Sequence, residues 1–276
     1  LVREASKWDY ELKFPEQVPA LLDRAHAIAS STPKGPVYLS IPREVLCEEV
    51  ESAGLDAAPS MRPSRASPDP QAIATLARWL AEAEAPLVIA QRGAGDAESF
   101  SAFSRWVEDW GIAVCSWWAT HLAIATDHPC HVGADPGPWL AKADVVLILD
   151  CLAPWMPDVH RPRGDAKIAN MGPDPIFSRF PVRNFRSDLS VTGENAQTIP
   201  ALIAAMRDLP RNGQKIAERF KALGEASSKM REKLVANAVP KGERLTKAHV
   251  SLVLGKALEG LKTSVFSELG TMLGTI

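Results

Sequence analysis

Between residues 16 and 31 the apolar side chains Val18, Leu21, Leu22, Ala25, Ile28 and Ala29 recur at three- and four-residue spacing, which places them on one face of a helix. Ser31-Thr32-Pro33-Lys34-Gly35-Pro36 breaks that helix. Val37-Tyr38-Leu39-Ser40-Ile41 then reads as a short strand ended by Pro42. Residues 51–68 lose periodicity and gather alanine, serine and proline, as an interdomain linker does. Beyond it, Asp69 and Pro70 predict an N-cap and first helical turn, with Ile73, Leu76, Ala77 and Leu80 on the buried face.

From there apolar strands and helical stretches alternate. Strands are predicted at 86–90, 112–115, 145–149 and 166–169, with a weaker one at 189–192. A helix carrying Phe100, Phe103, Val107 and Trp110 on one face separates the first two and stops at Gly111. Such alternation implies parallel pairing and a doubly wound α/β sheet, because each crossover has to cover a sheet face. Helices are predicted at 195–206 and, largely charged, at 214–236. Thr246 caps another, after which Val265-Phe266-Ser267 reads as a strand opening a further α/β unit. That strand has no partner after it, and the first residue is Leu1, so an internal piece of a longer chain is expected.

Composition narrows the partners. The 276 residues are 46% hydrophobic and 23% charged, enough for one sizeable core or two smaller ones. A formal charge of -2 offers no basic field for nucleic acid or an anionic membrane. The longest apolar runs fall well short of the roughly 20 residues that cross a bilayer. Cys47, Cys115, Cys130 and Cys151 show no paired CxxC spacing, so neither a disulfide framework nor a zinc site is expected, and a reducing cytoplasm fits best.

Candidate chemistry is sparse. Gln91-Arg92-Gly93-Ala94-Gly95 joins an apolar strand to a helix, where backbone N–H groups and the helix dipole can hold a phosphate; a tight turn with no ligand is the alternative. His121, His128 and His131 with Asp127 and Cys130 match no standard metal spacing and read as a solvated connection, with metal binding the alternative. Trp117, Trp118, Trp139 and Trp155 fall just beyond strand ends, available to stack a planar group or to pack a core or interface. Arg179, Arg183 and Arg186 could grip an anion or face solvent. No Gly-x-Ser-x-Gly, Walker loop or HExxH is present, which leaves hydrolase and kinase readings unsupported.

The opening segment, Lys7-Trp8, Pro15-Glu16-Gln17-Val18-Pro19 and then Gly35-Pro36-Val37-Tyr38-Leu39-Ser40-Ile41-Pro42-Arg43-Glu44-Val45, resembles the end of the pyrimidine-binding domain of the acetolactate synthase family. "APLVIAQRGAG" and "KADVVLILD" continue in that family's order, and residues 246–270 resemble the start of its diphosphate-binding domain. The resemblance implies residues 1–51 as the end of the pyrimidine-binding domain, 52–68 as linker and 69–210 as a Rossmann-like central domain. Residues 211–243 would be a linker helix and 244–276 the start of the diphosphate-binding domain.

The same resemblance implies thiamine diphosphate and Mg2+, with Gly270, Thr271 and Met272 near the diphosphate. It also implies a 2-keto acid substrate and a homodimer or homotetramer. The chemistry would be decarboxylation or carboligation through a thiazolium ylid. No catalytic residue is assigned: the activating glutamate is expected before Leu1 and the magnesium-holding Gly-Asp-Gly after Ile276, so these 276 residues alone are expected to be inactive. Some members bind FAD, which would assign Arg92, Gly93 and Gly95. Here "GADPGPWL", "DCLAPWMPD" and "NMGPDP" depart from the segments usual in acetolactate synthases, which weighs against the flavin. A non-catalytic nucleotide-binding Rossmann-like module, or a structural domain with an empty cleft, remains the alternative.

Overall fold

A computed structural model describes residues 2–51, 60–240, 242, 244–268 and 270. In chain order the elements are β1 (Trp8–Glu11), α1 (Val18–Ser30), β2 (Val37–Ser40), α2 (Arg43–Leu46), α3 (Pro70–Glu82), β3 (Pro86–Ala90) and α4 (Ala97–Trp110). Then follow β4 (Ala113–Cys115), α5 (Gly137–Leu140), β5 (Val145–Leu149), β6 (Lys167–Gly172), β7 (Leu189–Thr192), α6 (Asn195–Met206), α7 (Gly213–Ala238) and α8 (Lys247–Leu258).

The caps explain where helices begin and end. Asp69 accepts the N–H of Gln71 at the start of α3, and Asp96 that of Ser99 at the start of α4. Gly111 closes α4 in the left-handed region at φ 58°. Thr246 Oγ1 accepts the N–H of His249 and opens α8, as its sequence position predicts.

Five parallel strands form the main sheet in the order β4-β3-β5-β6-β7. Every residue of β3 and β5 is buried, which is why both are unbroken apolar runs. The chain leaves β3 for β4 on one side and returns to β5 on the other, so the carboxyl ends of β3 and β5 flank the point where winding reverses.

Crossover chemistry departs from the expected pattern. Only the β3–β4 connection is a full-length helix; the β4–β5 connection holds the single turn α5, and neither β5–β6 nor β6–β7 contains a helix. Aromatic side chains cover the core instead. Trp117 and Trp155 lie within it, and Trp139 and Phe185 pack against it from these loops. Ile216, Phe220 and Leu223 bring α7 onto the same core. Large rings on irregular loops supply the apolar area that crossover helices otherwise provide.

The N-terminal segment builds a separate small core of Leu12, Leu21 and Val45 beneath a two-stranded parallel sheet of β1 and β2. β1 is an element that periodicity did not predict. This segment is tied to the main sheet: Glu194, ahead of α6, receives the Thr32 hydroxyl and lies 3.9 Å from Lys34 Nζ, while Arg179 donates to the carbonyl of Glu4 at 2.8 Å. The strand expected at 265–267 is absent. Residues 261–267 carry no regular structure, Phe266 is almost fully exposed, and none of the described strands lies beside them to complete a ladder.

Candidate functional site

The reversal point between β3 and β5 gathers the most unusual chemistry among the described residues. Arg92 follows β3 and Asp150 follows β5; Arg92 Nη1 donates to Asp150 Oδ1 at 3.1 Å across the crevice. The Asp150 side chain is mostly buried, and burial pushes its carboxyl above the usual range while the guanidinium pulls it back down. Gly172, ending β6, packs directly on Asp150, where a Cβ would lie 3.2 Å from the Asp150 Cα.

Gln91 locks the turn from both ends. Its side-chain oxygen accepts the Leu152 N–H at 3.1 Å, and its carbonyl accepts the N–H groups of Thr120 and His121. Phe177, from the loop after β6, lies between two guanidiniums: Arg92 is 5.2 Å and Arg183 5.0 Å from its ring centroid. Arg183 also donates to the carbonyls of Leu152 and Cys151 and to Asn170 Oδ1, and burial lowers its pKa. Asp150 and Phe177 both hold positive φ, 42° and 51°, a conformation costly for residues with a Cβ.

The sequence-derived sites divide. Arg92 is at the crevice, but its turn is tightly occupied by protein. A Cβ on Gly93 would meet His121 Cβ at 3.0 Å, and one on Gly95 would meet the backbone N of Ala196, at the start of α6, at 2.6 Å. The carbonyl of Gly93 accepts Asn195 Nδ2 at 3.0 Å. The first turn of α4 is capped by the Asp96 carboxylate, held below its usual range chiefly by the Ser99 N–H and paired with Arg65 at 3.2 Å.

The three arginines after β6 do not converge on an anion. Arg179 reaches Glu4, Arg183 the crevice, and Arg186 binds Asp188 and the carbonyls of Gly164 and Ala166. The histidine cluster is dispersed as well: His131 Nε2 meets Ser116 Oγ at 3.1 Å, His128 Nδ1 accepts the Cys130 N–H, and His121 lies beside Thr120. Among the described residues no group of three or more histidine, cysteine or acidic side chains could hold a metal.

Trp117 donates to the Ala153 carbonyl at 2.7 Å and stacks on Trp118, which is two-thirds exposed at φ 46°. Gly270 is exposed at φ 76°, with Lys247 Nζ 3.5 Å from where its Cβ would lie. Thr271 and Met272 lie outside the described residues.

Sequence reasoning missed Asp150, Phe177 and Asn170. Asp150 had a signal, being the first polar residue after the all-apolar β5. Phe177 had none, because its partners lie 85 residues upstream at Arg92 and a few residues downstream at Arg183, brought together by the sheet order.

No protein-family profile matches the chain. Among characterised proteins it is 31% identical over 221 residues to the probable 2-ketoarginine decarboxylase of Pseudomonas aeruginosa, covering 76% of this chain and 37% of that protein. It is 24% identical over 219 residues to the probable acetolactate synthase large subunit of Methanocaldococcus jannaschii, covering 73% of this chain and 36% of that one. With oxalyl-CoA decarboxylase of Escherichia coli the identity is 25% over 210 residues, 73% of this chain and 36% of the relative. The chain thus spans little more than a third of the length of these relatives. Two solved structures share the fold. A putative thiamin diphosphate-dependent enzyme from Mycobacterium smegmatis superposes with a TM-score of 0.62 at 24% identity, covering 75% of this chain and 40% of that one. Benzoylformate decarboxylase from Polynucleobacter necessarius does so with 0.58 at 21%, over 75% of this chain and 40% of that one.

Proposed function

From the chain's membership of the thiamine-diphosphate-dependent enzymes of the acetolactate synthase type, we propose that it forms the Rossmann-like centre, with adjoining parts of both neighbouring domains, of a 2-keto acid decarboxylase or carboligase. The carrying observation is the reach of the likeness. A match over 221 residues cannot be contained in residues 69–210, so relatives share at least one flank as well as the nucleotide-binding-like core. A free-standing Rossmann-like module would have no reason to share it.

In this reading residues 1–51 close the pyrimidine-binding domain, 52–68 and 211–243 are linkers, and 244–276 open the diphosphate-binding domain with Gly270, Thr271 and Met272 near the cofactor. The cofactor, with Mg2+, supplies the electron sink for carbon–carbon cleavage next to a ketone. The described residues position rather than react: α7 and the aromatic loops hold the sheet rigid, and the Glu194 contacts fix the N-terminal segment against it. The substrate is a 2-keto acid, the enzyme a homodimer or homotetramer working in the cytoplasm. No described helix is long and apolar enough to cross a membrane.

The gene on either side of these 276 codons tests the reading. An activating glutamate is expected upstream, and downstream a Gly-Asp-Gly followed by an asparagine. Flanks lacking both motifs would contradict it.

A further inference from the structure

The crevice at the reversal point is where an open parallel sheet receives a nucleotide or flavin. We infer that this chain fills that crevice with its own side chains, Phe177 occupying the stacking position between Arg92 and Arg183 while the Arg92–Asp150 pair bridges its two lips, so that neither a flavin nor an adenine nucleotide enters. The inference does not depend on the thiamine reading and applies equally to a free-standing Rossmann-like module.

Four independent features converge. First, the helix following the glycine turn already has its anion: the Asp96 carboxylate accepts the Ser99 N–H at 3.0 Å, and a phosphate placed there would face that carboxylate. Second, the glycines of the turn make room for protein. Gly95 lets the backbone of α6 approach so closely that a Cβ would sit 2.6 Å from Ala196 N, and Gly93 admits His121 in the same way. Third, Asp150 places a mostly buried carboxylate at the lip of β5, and among the described residues the Arg92 guanidinium compensates it. A ligand phosphate drawing Arg92 away would leave that carboxylate unpaired in a poorly solvated site.

Fourth, Phe177 is 7% exposed although it belongs to a helix-free loop, and it is held at φ 51°. A non-glycine residue stays in that region only when its surroundings over-determine it. Here the surroundings are the two guanidiniums, a T-shaped contact with Phe180, and the Arg183 hydrogen bonds to Cys151 and Leu152. The ring therefore works as a plug, and residues 173–183 are the loop that carries it.

The test uses the chain as it stands. Titrating it with FAD and with ADP, followed by flavin fluorescence and by calorimetry, should show no saturable binding up to about 1 mM. One-to-one binding of either in the micromolar range would overturn the inference. Trypsin reads the plug separately, because Arg179 and Arg183 lie in the same loop just after Phe177. Phe177→Ala should accelerate cleavage at these two arginines by about tenfold or more, as a locally opened segment does, and Phe177→Tyr, which keeps the stack, should restore the parental rate. Equal rates in the parent and Phe177→Ala would show that the ring does not hold the loop and would overturn the inference. If Phe177→Ala fails to fold, the two titrations of the parent chain still decide it.

Discussion

His131 shows how burial sets the behaviour of a single group. It is 6% exposed, its Nε2 meets the Ser116 hydroxyl at 3.1 Å, and burial is the first cause of a pKa below the ordinary 6.5, with the charges of His128 and Arg231 adding to it. In the unfolded chain the imidazole titrates near its ordinary value, so below that value the unfolded state binds more protons. The stabilisation from keeping His131 neutral is complete above about pH 6.5 and is lost as pH falls toward the lowered folded value. The urea midpoint should therefore drop between pH 7.5 and pH 5.5, and His131→Gln should flatten part of that drop. An unchanged pH dependence in the variant would show that His131 does not titrate on unfolding.

The buried thiols follow the same physics. Burial pushes Cys130 and Cys151 up to about 12 and raises Cys115 further, so these three stay protonated and inert. All four cysteines are free, Cys47 alone among them being exposed.

At the scale of elements, α7 is more than the charged bridge that its composition suggests. Arg219 donates from Nη1 to the Ala83 carbonyl at 2.5 Å and from Nη2 to the Trp110 carbonyl at 2.7 Å. One guanidinium thus satisfies carbonyls at the C-termini of both α3 and α4, where a cation also meets the negative ends of the helix dipoles. Farther along, Ser227 donates to the His128 carbonyl and Met230 packs on Gly133, strapping the loop that precedes α5. Arg219→Met should lower stability by about 2–3 kcal/mol, the range for charge-assisted hydrogen bonds to partly buried carbonyls, read from the urea midpoint at constant m-value. A loss below about 0.5 kcal/mol, the level of an ordinary surface substitution, would show that α7 is not fastened there.

This element also marks where sequence reading stops. Helices with an apolar stripe and a cap, such as α3 behind Asp69-Pro70 and α4 before Gly111, are legible because their signals are local. The all-apolar β3 and β5 are legible for the same reason. β1 was not, since Trp-Asp-Tyr-Glu is only four residues long and becomes a strand by pairing with β2, whose first partner residue Val37 is far along the chain. Arg219 looked like one more charge on a polar helix, because its acceptors are 109 and 136 residues away. The candidate crevice was half visible: Arg92 is flagged by its turn, whereas Asp150 and Phe177 join it only through the order of the strands.

For the whole molecule, the irregular crossovers and three of the eight tryptophans belong together. A sheet with one full-length helical crossover takes part of its apolar cover from Trp117 and Trp155 in loops and from Trp139 in the single turn α5. The Glu194 contacts to Thr32 and Lys34 and the Arg179 contact to Glu4 tie the N-terminal segment to the main sheet.

The most direct test of the proposed function is carbon dioxide release by the complete gene product, supplied with thiamine diphosphate and Mg2+ and offered a panel of 2-keto acids. Release that requires thiamine diphosphate and is unaffected by added FAD is the predicted result. No release from any 2-keto acid by the folded, cofactor-supplied protein would contradict it.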